Sequence, residues 1–210
     1  MAEELEAPFI GIERLRIPVD GDGVTTLVAF RDCTLACKYC LNPQSLKANA
    51  RVLLYTPEKL LETVKIDNLY FLATGGGVTF GGGEPLLRSV FIEKFHDICP
   101  PEWSIYIESA LNVPLEHLQR VAPFVKQFII DIKDMDGTIY EAYTGKSNER
   151  LLNNLNWIVK QKLQDRCMIR LPRIPNFNDK QQVKASRAKL EGMGFSHFDE
   201  FNYIIRNKKA

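Results

Sequence analysis

Short segments rich in β-branched and aromatic residues alternate with segments of helical periodicity along most of the chain. That alternation is the pattern of repeated βα units built on a parallel sheet. The strand candidates are Thr25–Arg31, Gly77–Gly81, Trp103–Ser109, Gln127–Ile132, Cys167–Leu171 and Glu200–Ile205. Phe128, Ile129 and Ile130 form a continuous apolar run, as in a strand covered on both faces. Between the strands, Thr56-Pro57-Glu58 reads as an N-cap followed by proline at the first helical position, with Leu60, Leu61 and Val64 continuing at helical spacing. Glu149–Lys162 sets Leu151, Leu155, Ile158 and Val159 on one face. Arg88–Cys99 and Pro114–Val121 supply two more helices, and Asn178 with Gln181 predicts a capping box for a last helix ending at Gly192. Six such units in about 180 residues are too few for an eight-stranded barrel, which typically takes roughly 250. The expected fold is therefore α/β, a single domain with a partial (β/α)6 TIM-like barrel. Its core would run from about residue 20 to 205, with residues 1–19 as a lead-in. Ligands of such folds bind at the carboxyl ends of the strands.

Composition agrees with one packed core. Of 210 residues, 45% are hydrophobic and 10% aromatic, which excludes a disordered chain. Lys+Arg 27 against Asp+Glu 26 leaves +1, so no global field recruits nucleic acid or an anionic membrane. The longest uncharged stretch, Asn68 to Gly83, is interrupted by six glycines and is not expected to span a bilayer. The acidic first residues carry no apolar stretch of signal-peptide type, so a cytoplasmic protein is expected. Arg206, Lys208 and Lys209 read as a solvated basic tail.

Three of the five cysteines, Cys33, Cys37 and Cys40, fall within eight residues immediately after the first strand candidate, while Cys99 and Cys167 stand apart and read as buried apolar residues. An odd count with a tight cluster argues for a metal rather than a disulfide framework. Structural zinc usually takes four ligands, and the other candidates (Cys99, Cys167, His96, His117, His197) are distant in sequence. Three thiolates suit a [4Fe–4S] cluster with one iron left open, since electron-transfer clusters use four. On spacing alone, a zinc loop or three buried structural cysteines stay open as readings.

The second strand candidate runs into Gly81-Gly82-Gly83-Glu84-Pro85. Glycines there let backbone approach a ligand, and a fixed glutamate can take an ammonium group. Cys-x3-Cys-x2-Cys with Tyr39 before the last cysteine, followed by Gly-Gly-Glu-Pro, resembles the radical S-adenosylmethionine (SAM) superfamily. Gly77-Val78-Thr79-Phe80, Asp131-Ile132-Lys133, Thr144-Gly145, the Leu151–Leu155 helix and the Arg170-to-Asp179 stretch follow in order. That series, from about Asp20 to Asp179, resembles the glycyl-radical-enzyme activating enzymes.

The resemblance implies that Cys33, Cys37 and Cys40 hold a [4Fe–4S] cluster whose open iron chelates SAM. It places Gly82, Gly83 and Glu84 at the methionine amino group, Tyr39 near the adenine, and Lys133 in contact with SAM. Ser109, Asp131 and Arg170 join the cofactor-binding set, and Glu108 with Asp131 would shape a site for a monovalent cation. The implied chemistry is reductive cleavage of SAM to methionine and a 5′-deoxyadenosyl radical, which abstracts a hydrogen atom from a glycine of a partner glycyl radical enzyme. The cofactor carries that chemistry, so no separate acid–base pair is expected. A flavodoxin- or ferredoxin-type protein would donate the electron.

The chain also departs from the family pattern. Asp20-Gly21-Asp22-Gly23-Val24-Thr25-Thr26 stands where Asp-Gly-Pro-Gly-Ile-Arg-Thr is usual, and Tyr140 replaces a histidine. Phe201-Asn202-Tyr203-Ile204-Ile205 lacks the histidine expected near the end, and no eight-cysteine ferredoxin module follows the first motif. Two alternatives accompany the activating-enzyme reading. One is a radical SAM enzyme acting on a small molecule or peptide, such as one resembling 7-carboxy-7-deazaguanine synthase; the other is a non-catalytic metal-binding domain.

Overall fold

The computed structural model describes residues 5–17 and 19–205. The basic tail at Arg206, Lys208 and Lys209 and the first four residues lie outside them. In chain order the strands are β1 (Ala7–Arg16), β2 (Thr25–Phe30), β3 (Leu53–Tyr55), β4 (Gly77–Gly82), β5 (Ser104–Ser109), β6 (Gln127–Asp131), β7 (Cys167–Arg173) and β8 (His197–Asn202). The helices are α1 (Pro57–Val64), α2 (Asn68–Thr74), α3 (Ser89–Ile98), α4 (Leu115–Val121), α5 (Gly137–Thr144), α6 (Glu149–Lys160) and α7 (Lys180–Gly192). The strands form one sheet in the order β3-β1-β2-β4-β5-β6-β7-β8. From β2 to β8 every neighbouring pair is parallel, which is the six-stranded βα arrangement expected of a partial barrel.

β1 and β3 are additions that the sequence reading lacks. Both run antiparallel at one edge, within and beyond the expected lead-in. The β1 sequence, with Pro8, Gly11 and three charges, has no clean alternation. What fixes the strand is packing: Phe9 is fully buried, its ring centroid 4.6 Å from Phe30 and 5.5 Å from Phe91.

The period of two along each parallel strand divides the sheet's faces chemically. Val78 and Phe80, Ile105 and Ile107, Phe128 and Ile130, and Cys167, Ile169 and Leu171 point into the core beneath the helices. Their alternates, which include Thr79, Gly81, Glu108, Asp131 and Arg170, line the concave face. The register carries that polar row across the sheet: Asp131 is level with Arg170, and Arg170 with Asp199. The loop at residues 19–23 lies across one end of this concave face, close enough that a Cβ on Gly21 would sit 2.7 Å from the Tyr106 ring.

Helix starts follow local chemistry. Thr56 caps α1 through Lys59 N, with Pro57 at the first position as expected. Asp136 caps α5 by accepting from Thr138 N and Ile139 N, and Gly145 ends it in the left-handed region at φ 73°. The capping box of α7 is one residue later than predicted, on Asp179 and Gln182. The Asn178 side chain is occupied elsewhere: it accepts from Ile174 N at 2.6 Å and donates to Asp134 at 3.0 Å.

Candidate functional site

One pocket lies at the carboxyl ends of the parallel strands, as the fold class predicts. Cys33, Cys37, Cys40, Gly82, Gly83, Ser109, Asp131 and Lys133 all line it, joined by Glu108. Cys33, Cys37 and Cys40 come from the loop after β2, Gly82 and Gly83 from the end of β4, and Ser109 and Asp131 from the ends of β5 and β6. Residues nearly a hundred positions apart therefore meet because four strands end at one level.

The cysteine loop is held by main-chain bonds. Asp32 N donates to Ser45 O at 3.1 Å, Ala36 N to Thr144 O at 2.9 Å, and Lys38 N to Tyr143 O at 3.1 Å. The Thr144-Gly145 turn thus acts as the brace on which the loop rests. The glycine turn is equally tied: Gly83 N donates to Phe30 O at 2.9 Å and Glu84 N to Asp32 O at 2.8 Å. A Cβ on Gly83 would stand 2.0 Å from Asp32 O, and Gly82 adopts φ 93° with Ala29 behind it. Glycine is required here because two loops are pressed together, and the side left free faces the pocket. Asn42 completes the junction by donating to Gly82 O at 3.0 Å.

Glu84 differs from its expected role as a direct ammonium partner. Its carboxylate is buried beneath the turn and is absent from the pocket lining. It accepts from Ser109 Oγ at 2.8 Å, Ala110 N at 3.1 Å and Leu86 N at 3.2 Å. Burial pushes its pKa up to about 7 against the pull of those three donors. Glu84 therefore fixes the turn from below, and Gly82 and Gly83 line the pocket above it.

Arg170 is also displaced from the pocket. It lies deeper on the concave face, paired with Glu108 at 2.7 Å, within 3.9 Å of Asp20 and 3.7 Å of Asp199, and donating to Val19 O. Asp20 is buried and pairs with Arg16 as well. Arg170 thus holds Glu108 from behind, and its ion pairs close the base of the sheet. Lys133 pairs with Asp131 at the pocket wall, where the other carboxylate oxygen, Oδ1, is buried without a partner. Burial pushes the Lys133 pKa down, but Asp131 and Cys37 outweigh it and the net direction is up, so this lysine is a fixed cation.

Three pocket residues carry no local signal in the sequence. Tyr143 and Tyr203 line the pocket beside Asn42 and the cysteines, and the Tyr203 hydroxyl donates to the Tyr39 carbonyl. Tyr39 itself stands outside the lining, packed with Tyr143 (6.1 Å) and Phe177 (5.7 Å) and hydrogen-bonded to Asn176. Tyr203 belongs to the segment that lacks the expected histidine, and it is the residue by which that segment reaches the site.

Among the described residues, the pocket gathers three thiols and neither an imidazole nor a fourth sulfur. Structural zinc usually takes four such ligands. Three thiols suit a [4Fe–4S] cluster with one iron left open. Burial raises the pKa of Cys33, near Glu84, to about 12 and that of Cys37, despite Lys133, to about 11, so either thiol would bind a metal only by giving up a proton. The other sulfurs and imidazoles lie outside the pocket lining. Cys99 ends α3, Cys167 begins β7, His96 stacks on Phe124, His117 bonds Ser89, and His197 begins β8.

Comparison with known proteins agrees with this geometry. The sequence model of the radical SAM superfamily matches residues 27–186. The (2S)-3-sulfopropanediol dehydratase activating enzyme of Klebsiella oxytoca is 37% identical, over 81% of this chain and 72% of that protein. Its alignment runs to 232 positions, more than the matched part of this chain holds, so that relative carries inserted residues this chain lacks. The indoleacetate decarboxylase activating enzyme of Tractidigestivibacter scatoligenes is 27% identical, over 78% of this chain and 72% of that one. Among solved structures, a domain of pyruvate-formate lyase-activating enzyme from Bacteroides vulgatus superposes with a TM-score of 0.53 at 26% identity, covering 64% of this chain and 87% of that domain. The chain belongs to the radical SAM superfamily and, within it, to the glycyl-radical-enzyme activating enzymes. Membership brings the family's [4Fe–4S] cluster and SAM. Among the described residues no helix is long and apolar enough to cross a membrane.

Proposed function

We propose that Cys33, Cys37 and Cys40 hold the [4Fe–4S] cluster and leave its fourth iron to SAM. The observation that carries this reading is the meeting of all three thiols with Gly82, Gly83 and Lys133 in one pocket. When bound and reduced, the cluster supplies the electron that splits SAM into methionine and a 5′-deoxyadenosyl radical. The protein's share is positioning and shielding. Gly82 and Gly83 offer backbone to the amino acid end, with Glu84 and Ser109 keeping that turn rigid. Lys133 offers a fixed positive charge to the ligand's carboxylate. Tyr143 and Tyr203, with Tyr39 packed behind Tyr143, wall the side where the nucleoside would lie and keep water from it. The unpartnered Asp131 oxygen and Glu108 form the candidate monovalent-cation site, and Arg170 positions Glu108 there.

In this reading the hydrogen donor is a backbone glycine of a partner glycyl radical enzyme, and identity with the sulfopropanediol dehydratase activator supports a dehydratase-type partner. A flavodoxin- or ferredoxin-type protein in the cytoplasm delivers the electron. Residues 1–210 act as one radical SAM domain. The test is anaerobic incubation of the reconstituted, reduced protein with SAM and a glycyl radical enzyme from the same source. A glycyl-radical EPR doublet is expected. 5′-Deoxyadenosine formed without that doublet, across the glycyl radical enzymes of the source, would place the substrate among small molecules or peptides instead.

A further inference from the structure

Cys33 and Leu35 face the pocket, but Thr34 between them faces a second, open cleft on the outer side of the same loop. Thr34, Asn112, Lys146, Ser147, Glu149 and Arg150 line it. Only the thickness of the cysteine loop separates this cleft from the cluster site. The Thr34 hydroxyl is buried without a partner, while Lys146 and Arg150 are exposed. Among the described residues neither cation is ion-paired. Glu149 offsets one of the two charges, and the cysteine loop restores the excess. Residues 33–57 contain Lys38, Lys47 and Arg51 and no Asp or Glu, and all three cations are exposed. Leu46 (44% exposed) adds apolar surface to that flank.

We propose that this cleft and the basic flank of the cysteine loop dock the protein that delivers the electron. Charge complementarity selects a small acidic redox protein whose surface carboxylates meet Lys146, Arg150 and Lys38. The inference rests on the reading of Cys33, Cys37 and Cys40 as cluster ligands. One electron passes from the donor's reduced centre to the cluster, the donor being oxidised and the cluster reduced by one electron, with no atom transferred. Because the cleft lies behind the loop, a docked donor leaves the pocket mouth free for the substrate glycine.

The experiment titrates the reconstituted protein with an acidic flavodoxin at low salt, comparing wild type with a Lys146→Glu/Arg150→Glu variant. Wild-type binding should weaken steeply as salt rises. The variant should bind at least about tenfold more weakly, since like charges would now face each other. Flavodoxin-driven SAM cleavage should fall with it, whereas cleavage driven by dithionite should not change. A Lys184→Glu/Lys189→Glu variant on α7 should bind as wild type does. The proposal is overturned if the first variant binds flavodoxin normally, or if the α7 variant loses as much. It is equally overturned if the loss appears in binding of a glycyl radical enzyme rather than of flavodoxin. Failure of the wild type to cleave SAM with dithionite would instead refute the proposed function, and the binding comparison would still decide the docking site.

Discussion

Replacing Ser109 with alanine strikes the link between the glycine turn and the strand that supports it. The Ser109 hydroxyl donates to the buried Glu84 carboxylate at 2.8 Å and accepts from the buried Leu111 N–H at 2.9 Å. A hydrogen bond to a charged group contributes about 1.5–3 kcal/mol, and an orphaned buried N–H costs about 1–3 kcal/mol. Together the loss should be roughly 3 kcal/mol, or a fall in Tm of about 6–12 °C for a chain of this size. The cost should also depend on pH. Glu84 has a folded pKa raised to about 7, so its contribution to stability is fully present below its ordinary carboxylate range and is lost as pH rises through 7. Removing Ser109 takes away a donor that favours the ionised form, pushing the folded pKa higher and extending that loss above pH 7. Urea denaturation of the cluster-free protein at pH 5.5 and 8, without oxygen, should therefore show a gap between wild type and variant wider by about 1 kcal/mol at the higher pH. A shift below about 0.5 kcal/mol, equal at both values, would refute this role for Glu84 and Ser109.

Gly83→Ala should abolish SAM binding and lower Tm, because its Cβ would force the turn off Asp32 O; isothermal titration with SAM checks this. Tyr203→Ala should weaken SAM binding by about tenfold, or about 1.4 kcal/mol, while leaving the iron content of the reconstituted protein unchanged. Arg170→Met should destabilise the fold by about 3 kcal/mol by leaving Asp20 and Glu108 underpaired, and adding Glu108→Gln should recover part of that loss. Thermal melts of the two single variants and the double variant measure that coupling.

The sequence carried the parallel strands from Thr25–Phe30 to Cys167–Arg173 because they have local signals, β-branched or aromatic runs and glycine-bounded ends. The last strand, expected at Glu200–Ile205, is His197–Asn202, whose His-Phe-Asp-Glu-Phe-Asn has no β-branched residue to mark it. Ala7–Arg16 had no clean alternation, and only the burial of Phe9 against Phe30 and Phe91 makes it a strand. The short helices Asn68–Thr74 and Gly137–Thr144 left signs in their left-handed caps at Gly75 and Gly145, but too few turns for a periodicity to show. In the site, the cysteines and glycines were legible because their chemistry depends on spacing along one loop. Tyr143, Tyr203 and Asn42 were not, since each reaches the pocket only through a tertiary contact. Glu84 and Arg170 have the expected residue type at the expected position, yet Glu84 turns under the loop and Arg170 back toward Asp20. Which way a charged side chain points is settled by its buried partners, and those come from other strands.

The decisive measurement is made on protein reconstituted with iron and sulfide under anaerobic conditions, reduced with dithionite and supplied with SAM. About four irons per chain and steady formation of 5′-deoxyadenosine and methionine are predicted, with the nucleoside lost in Cys37→Ala. Zinc bound stoichiometrically in place of iron, or a full cluster that leaves SAM intact, would contradict the assignment of this loop.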